Sequence, residues 1–362
     1  MQARDEFATW FRLLETPGLG RDTARRLIAA FGSPAAVLAA DEDALRTCIG
    51  PALITALREQ APTFETRLAA ATIWLDGGSD RHWLTLGDPD YPPLLMQTAD
   101  PPLLLYLQGR VALLKAPSVA IVGSRGATPQ GLDNARDFAR HLGDAGLAVV
   151  SGLAAGIDGA AHDGALASAS GTVAVVGTGL DRVYPARHHA LARRIAEAGL
   201  LVSEYPPGTP PLPEHFPQRN RIIAGLSLGT LVVEATLRSG SLITARLAAE
   251  AGRDVFALPG SIHAAQARGC HALIKQGALL VETPQEIVDA LQGQRSLPLD
   301  DLPASAADPL LDALGQDPVT LDSLLARTGW PVAELSAKLL ELELEGQVAR
   351  LPGGLYQRRL AG

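Results

Sequence analysis

The chain lacks the residues that most cofactor and metal signatures require. Its two cysteines, Cys48 and Cys270, stand far apart without metal-ligand spacing, which excludes a disulfide framework and leaves no zinc pattern. No apolar run reaches the length of a membrane span, and residues 1–12 lack a secretory pattern. A cytoplasmic protein with no membrane partner is therefore expected. Gly-Lys-Ser and Gly-Lys-Thr do not occur, so a P-loop nucleotidase is excluded. Net positive charge is missing too: the formal charge is −8, which excludes coating of nucleic acid by bulk charge but leaves room for a local basic groove.

A globular composition is present. Of 362 residues, 47% are apolar and 19% charged, and that length predicts more than one domain. The basic residues are almost all arginine, whose planar fork suits bidentate phosphate contacts. The expected division is a helical region over 1–75, an α/β domain over 76–291 with its core at 118–282, a Pro/Ser/Ala/Asp-rich linker over 292–308, and a small domain over 309–362.

The α/β domain is organised around residues 118–126, Ser-Val-Ala-Ile-Val-Gly-Ser-Arg-Gly. A short buried strand there runs into a glycine turn and then a helix over 130–142, whose free N–H groups suit an anion beside Arg125. Further strands are expected at 147–151, 172–176, 200–203, 230–234, 255–258 and 279–281, with helices over 157–168, 186–198 and 241–251. Such alternation predicts a doubly wound, mostly parallel sheet that binds ligands beyond the strands' carboxyl ends. Two edge strands, 83–86 and 103–107, are expected among the prolines that precede it.

The candidate residues at those strand ends are Gly123, Ser124, Arg125, Gly152, Gly156, Gly177, Gly179 and Glu234. A dinucleotide fingerprint does not fit them. The first turn has the wrong glycine spacing, the second strand ends in Ser151-Gly152 without a ribose-binding acid, and Arg182 fills the sixth position of the motif that Gly177 begins. No cofactor is expected. In the segment 214–226, with a helix expected to begin near Asn220, Phe216 beside Arg219 and Arg221 suits a base stacked on a ring with its phosphates held by guanidinium groups. The competing reading buries Phe216 and pairs the arginines with Glu204 or Glu234. Asp158 and His162, spaced to share one helical face, suit an acid/base or metal pair, or equally a helix cap. His188-His189 is equally ambiguous; no third ligand is visible, so no metal and no catalytic set is assigned.

Several blocks occur in one order: Gly123-Ser124-Arg125; Ser151-Gly152-Leu153-Ala154-Ala155-Gly156-Ile157-Asp158; Gly177-Thr178-Gly179 with Tyr184-Pro185; Ser203-Glu204-Tyr205-Pro206; Phe216-Pro217-Gln218-Arg219-Asn220-Arg221; and Val233-Glu234-Ala235 with Ser239-Gly240-Ser241. Together they resemble the DNA-processing protein A family, DprA or Smf. The resemblance implies a Rossmann-like domain that binds single-stranded DNA, forms a homodimer, and hands the strand to the RecA recombinase in natural transformation, without catalysis. It places Arg125, Phe216, Arg219, Asn220 and Arg221 on the DNA, with Ser239, Gly240 and Ser241 in a matching block. A basic residue that follows the Tyr-Pro pair in the family is Ala186 here, leaving Arg187 as the nearest substitute. Gln130 and Cys270-His271 also depart from the family pattern and are expected to alter the pocket wall. The alternative is a nucleoside-monophosphate phosphoribohydrolase-like enzyme with Glu234 as its acid; a metabolite-binding scaffold is a third.

At the N-terminus, Thr16-Pro17-Gly18-Leu19-Gly20 before a helix has the layout of a helix-hairpin-helix, with Cys48-Ile49-Gly50-Pro51 as a degraded copy. It either bares N–H groups to DNA or merely caps helices. At the C-terminus three helical patterns and a hairpin turned by Pro352-Gly353-Gly354 predict a winged helix. Its third helix carries Glu334, Glu341 and Glu343, followed by Glu345, against Lys338 alone, which opposes phosphate contact. A protein-contact role is expected, with DNA contact at Arg350, Arg358 and Arg359 as the lesser reading.

Overall fold

The computed structural model describes residues 2–295, 309–314, 319–344, 347–351 and 355–358. Contacts group the chain into two compact units, Met1–Leu291 and Gln292–Gly362.

The first unit begins with helices α1 (Gln2–Leu14), α2 (Arg21–Phe31), α3 (Pro34–Ala39), α4 (Glu42–Arg46), α5 (Pro51–Arg58) and α6 (Phe64–Asp76). Gly20 and Gly50 stand at the N-caps of α2 and α5 with extended backbone, and Pro51 opens α5. Those glycines do cap helices, as the plainer reading of this region required. The strand β1 (Arg81–Thr85), the short helix α7 (Pro93–Met96) and β2 (Leu104–Gly109) follow. Then come β3 (Ser118–Val122), α8 (Pro129–Asp144), β4 (Ala148–Ser151), α9 (Ile157–Ala165), β5 (Thr172–Val176), α10 (His189–Ala198) and β6 (Leu200–Ser203). The unit closes with α11 (His215–Leu226), β7 (Gly229–Val232), α12 (Ser241–Glu250), β8 (Asp254–Ala257), α13 (Arg268–Lys275), β9 (Leu279–Leu280) and α14 (Pro284–Arg295).

These strands form a nine-stranded sheet in the order β1-β2-β6-β5-β4-β3-β7-β8-β9. Pairing is parallel from β6 to β9, while β2 and β1 add antiparallel strands at one side. Every residue of β3 and β5 is buried, because helices cover both faces; this explains their unbroken apolar runs. The helix α8 buries Gly131, Ala135, Phe138, Ala139 and Leu142, the single stripe of an amphipathic helix. The order in which strands are added reverses at β3, whose neighbours are β4 on one side and β7 on the other. The crevice between the ends of β3 and β7 is thus the topological switch point.

Three expectations need correction. Strand β2 is not an edge: it lies between β1 and β6, with residues 104–107 buried. The helix expected near Asn220 starts at His215, since Pro217 falls in its first turn, where no N–H is required. Residues 292–295, expected in the linker, continue α14.

An ionic cluster joins the helical region to the sheet. Arg221 on α11 binds Asp100 through Nε at 2.7 Å and Glu204, just past β6, through Nη2 at 2.6 Å. Arg21 on α2 reaches the same two carboxylates at 3.2 and 3.3 Å, and Arg25 also pairs with Asp100. The aromatic side of the junction is formed by Phe7 and Trp74 against Tyr106 of β2.

In the second unit, α15 (Pro309–Leu314), β10 (Val319–Thr320), α16 (Leu321–Thr328), α17 (Val332–Leu344), β11 (Val348–Leu351) and β12 (Leu355–Arg358) surround a core of Leu310, Leu314, Leu324, Leu335, Leu339 and Val348. The strands order as β10-β12-β11, all antiparallel. Three helices and this sheet are the winged helix expected from the sequence. Glu345, Pro352, Gly353, Gly354 and Arg359 lie outside the described residues. Among the described residues no helix is long and apolar enough to cross a membrane.

The cluster makes a stability prediction. In the Arg221–Glu204 pair the side chains are 10% and 11% exposed, so Arg221→Met leaves a nearly buried carboxylate without its closest partner. A loss of about 3–5 kcal/mol is expected in urea unfolding. Burial acts to raise the pKa of Asp100, but hydrogen bonds and charge from Arg221, with Arg25 and Arg21, outweigh it and hold the group below its ordinary value. Its contribution should therefore be present at neutral pH and be lost as the pH falls through the acid range below about 4.

Candidate nucleic-acid interface

A cavity of about 560 Å³ opens at the switch point. One wall is the turn after β3, with Gly123, Ser124, Arg125 and Gly126; the opposite wall is the start of α12, with Arg238, Ser239, Gly240, Ser241 and Thr244. Phe216, Arg219 and Asn220 come from α11, and Ala154, Asp158 and Tyr184 are also part of the lining.

The first turn is fastened to both neighbouring strand ends. Ser124 N donates to Glu234 O at 2.7 Å, and Ser124 O accepts from Ile157 N at 3.2 Å. Gly156 has φ 81° and sits against this turn; a Cβ there would lie 2.2 Å from Ser124 O. Only glycine meets both demands. Glu234 does not face the cavity. Its Oε2 accepts from Thr128 N at 2.9 Å and its Oε1 from Thr128 Oγ1 at 2.5 Å, bracing the N-cap of α8. The phosphoribohydrolase reading, which needs this carboxylate free, loses its acid.

The floor is made of buried charge. Arg219 is 4% exposed; its Nη1 donates to the carbonyls of Gly152 and Val175, and its Nε to Asn220 Oδ1 at 3.2 Å. Burial pulls its pKa down to about 10, so it keeps its charge at neutral pH. Asp158 accepts from Gly152 N at 3.2 Å and Ala154 N at 3.3 Å; burial raises its pKa, against the opposing charge of Arg219. His162 Nε2 accepts from Leu153 N at 3.2 Å and its Nδ1 lies 2.7 Å from Thr172 Oγ1. Burial pushes that imidazole down to about 3. Asp158 and His162 are thus turn supports rather than an acid/base pair, and among the described residues no cluster could hold a metal ion.

The sequence-derived residues separate on this geometry. Arg125 is exposed with its guanidinium 5.5 Å from the Phe216 ring centroid. Phe216 is half-buried at the cavity, not in the core. Ser239 Oγ and Ser241 Oγ meet at 2.7 Å, and Asn220 Nδ2 approaches Gly240 O at 3.4 Å.

Gly152, Gly156, Gly177, Gly179, Arg187 and Arg221 do not line the cavity. Gly152 is covered by the Arg219 guanidinium and Gly177 by His215, while Gly179 backs onto Pro206 and Pro207. Arg221 is spent on Asp100 and Glu204, as the competing reading required for that residue. Arg187 is exposed in the turn preceding α10. The departures at Gln130, Cys270 and His271 do not touch this wall either. Cys270 is buried with its thiol towards Val232 O, and His271 Nε2 lies 3.0 Å from Gly260 O. His188 Nδ1 pairs with Leu153 O at 3.0 Å.

Arg238 is the residue that sequence reasoning missed. It is exposed at the cavity, one position before the Ser-Gly-Ser block, and that adjacency was the available signal.

Comparison with known proteins agrees with this fold. The model of the family described as DNA recombination-mediator protein A matches residues 82–292. The chain belongs to this family. The DprA winged helix domain model matches residues 294–354. Protein Smf of Escherichia coli is 44% identical over 309 residues, covering 81% of this chain and 82% of that protein. The DNA processing protein DprA of Streptococcus pneumoniae is 50% identical over 201 residues, 56% of this chain and 71% of that one. The solved structure of the pneumococcal DprA superposes with TM-score 0.63 at 37% identity, covering 78% of this chain and 97% of that one. DNA processing protein A of Helicobacter pylori, whose structure is described for its unique single-stranded DNA binding mode, superposes with TM-score 0.54 at 32% identity, covering 59% and 97%.

Three outcomes would check the assignment of supports and free groups. Arg219→Met should destabilise the protein by about 3–5 kcal/mol, because Asp158 and two carbonyls lose their buried partner. Arg125→Ala should stay within about 0.5 kcal/mol of the parent in the same unfolding experiment. His162→Asn should remove an acid-side loss. In the parent the unfolded chain takes up the proton near 6.5 and the folded one only near 3, so parental stability falls through that window relative to the variant.

Proposed function

We propose that the switch-point cavity binds single-stranded DNA and that the protein is a recombination mediator without catalytic turnover. The carrying observation is Arg125, an exposed guanidinium with no ion-pair partner among the described residues, poised over the partly exposed Phe216 ring between two helix-leading turns. A cation and an aromatic face together suit a phosphate followed by an unpaired base. Arg238, Ser239 and the start of α12 offer a second phosphate position on the opposite wall. The single-strand binding described for the Helicobacter pylori relative supports this reading.

Delivery of the strand to the RecA recombinase, protection of incoming DNA in transformation, homodimer formation and a cytoplasmic setting are proposed with it, on the strength of family membership. In this scheme residues 76–291 carry DNA, and residues 309–362 are the winged helix. That module meets a protein partner, since α17 carries Glu334, Glu341 and Glu343 with Lys338 as its one basic residue. The helical region 1–75 acts as a support, because Arg21 at the start of α2 is turned inward to Asp100 and Glu204.

Fluorescence anisotropy of a labelled oligonucleotide at two salt concentrations tests the core of this. Single strand should be preferred over duplex, and affinity should fall steeply with salt. Arg125→Ala should weaken binding and shallow the salt slope by about 0.7. An unchanged affinity and slope in a folded variant would show that the site lies elsewhere.

A further inference from the structure

Tyr184 stands beside Phe216 with no structural task that explains its position. It is 47% exposed and lines the switch-point cavity. Its ring centroid lies 5.3 Å from that of Phe216 with the planes 43° apart, and its hydroxyl has no hydrogen-bond partner among the described residues. The two rings come from different elements, Phe216 from the first turn of α11 and Tyr184 from the segment following β5.

That segment is pinned on both sides of Tyr184. Thr178 Oγ1 donates to Arg182 O at 2.9 Å, and Arg182 N donates to Gly179 O at 3.0 Å. Beyond the tyrosine, His188 N donates to Pro185 O at 2.9 Å, and the His188 ring pairs with Leu153 O. An aromatic ring held in place and left facing solvent beside a cation loses little entropy when a flat ligand covers it. The flat ligand that also carries anionic groups at the spacing of a chain is a nucleotide within a strand.

We propose that Tyr184 is a base-stacking residue of this site, extending the Phe216 platform so that an unpaired base lies on the phenol ring while a neighbouring phosphate is held at Arg125. The inference rests on the single-strand reading and adds a specificity role to it. Bases in a duplex are already stacked on one another, so a ring that needs an open base face rewards only the single strand. The contact is neutral, and it should therefore not contribute to counterion release.

The test uses the full chain and a labelled oligothymidine, with a duplex and an abasic oligonucleotide as controls. Tyr184→Ala should weaken single-strand binding about tenfold, leave duplex binding unchanged, and keep the parental salt slope. Tyr184→Phe should bind as the parent does. On the abasic strand the alanine variant and the parent should be equal. Parental single-strand affinity in Tyr184→Ala, with an unchanged melting temperature, would overturn the stacking role while leaving the site reading intact. An equal loss on abasic DNA would also overturn it, by showing that the ring acts through the backbone of the site. A parent protein that ignores single strands would remove the functional reading itself.

Discussion

The peptide group of Gly152 is gripped from both sides, and the site depends on that grip. Its N–H donates to the buried Asp158 carboxylate and its C=O accepts from the buried Arg219 guanidinium. Each charge would be costly to bury alone, and each offsets the other's field while satisfying backbone groups that have no ladder partner at the end of β4. The turn from β4 into α9 is thereby held rigid. Through Gly156 and Ile157 that turn holds Ser124 and the first glycine turn in place. Loose donors would lose affinity to ordering, whereas at the proposed phosphate site the ordering is completed on folding.

The arginines divide by what they touch. Arg219 and Arg221 spend their donors on carbonyls and carboxylates within the protein, whereas Arg125 and Arg238 reach the cavity without an ion-pair partner among the described residues. The division reconciles a net charge of −8 with the proposed anion site. The acidic groups nearest the site, Asp158 and Glu234, are buried or engaged with backbone N–H groups, which confines their influence and leaves the mouth of the cavity to the guanidinium groups.

Much of the architecture was legible in local pattern. The bounds of β3, β5 and β6 match the expected runs, because strands covered on both faces must be continuously apolar and must end where glycine or serine allows the chain to turn. The ordered glycine, serine and arginine blocks pointed to the family, and the structure gathers Arg125, Phe216 and the Ser239–Ser241 turn at one cavity. Local pattern could not tell what each arginine of the Arg219-Asn220-Arg221 run touches. On a helix residues two apart point about 200° apart, and the partners of the two arginines, Gly152, Val175, Asp100 and Glu204, are remote in the chain.

Sequence by itself thus determined the layer order, the strand ends and the chemistry available there, since burial period and turn residues are local properties. Tertiary structure alone decided which of those groups are consumed internally. It turned Glu234 into a cap brace and His162 into a neutral core group, made Arg221 an anchor for the N-terminal helices, and brought Tyr184 and Arg238 to the cavity. The reason is that a charge or a ring acquires its role from what lies within a few ångströms of it, and those neighbours are set by the crossing of strands rather than by the order of residues.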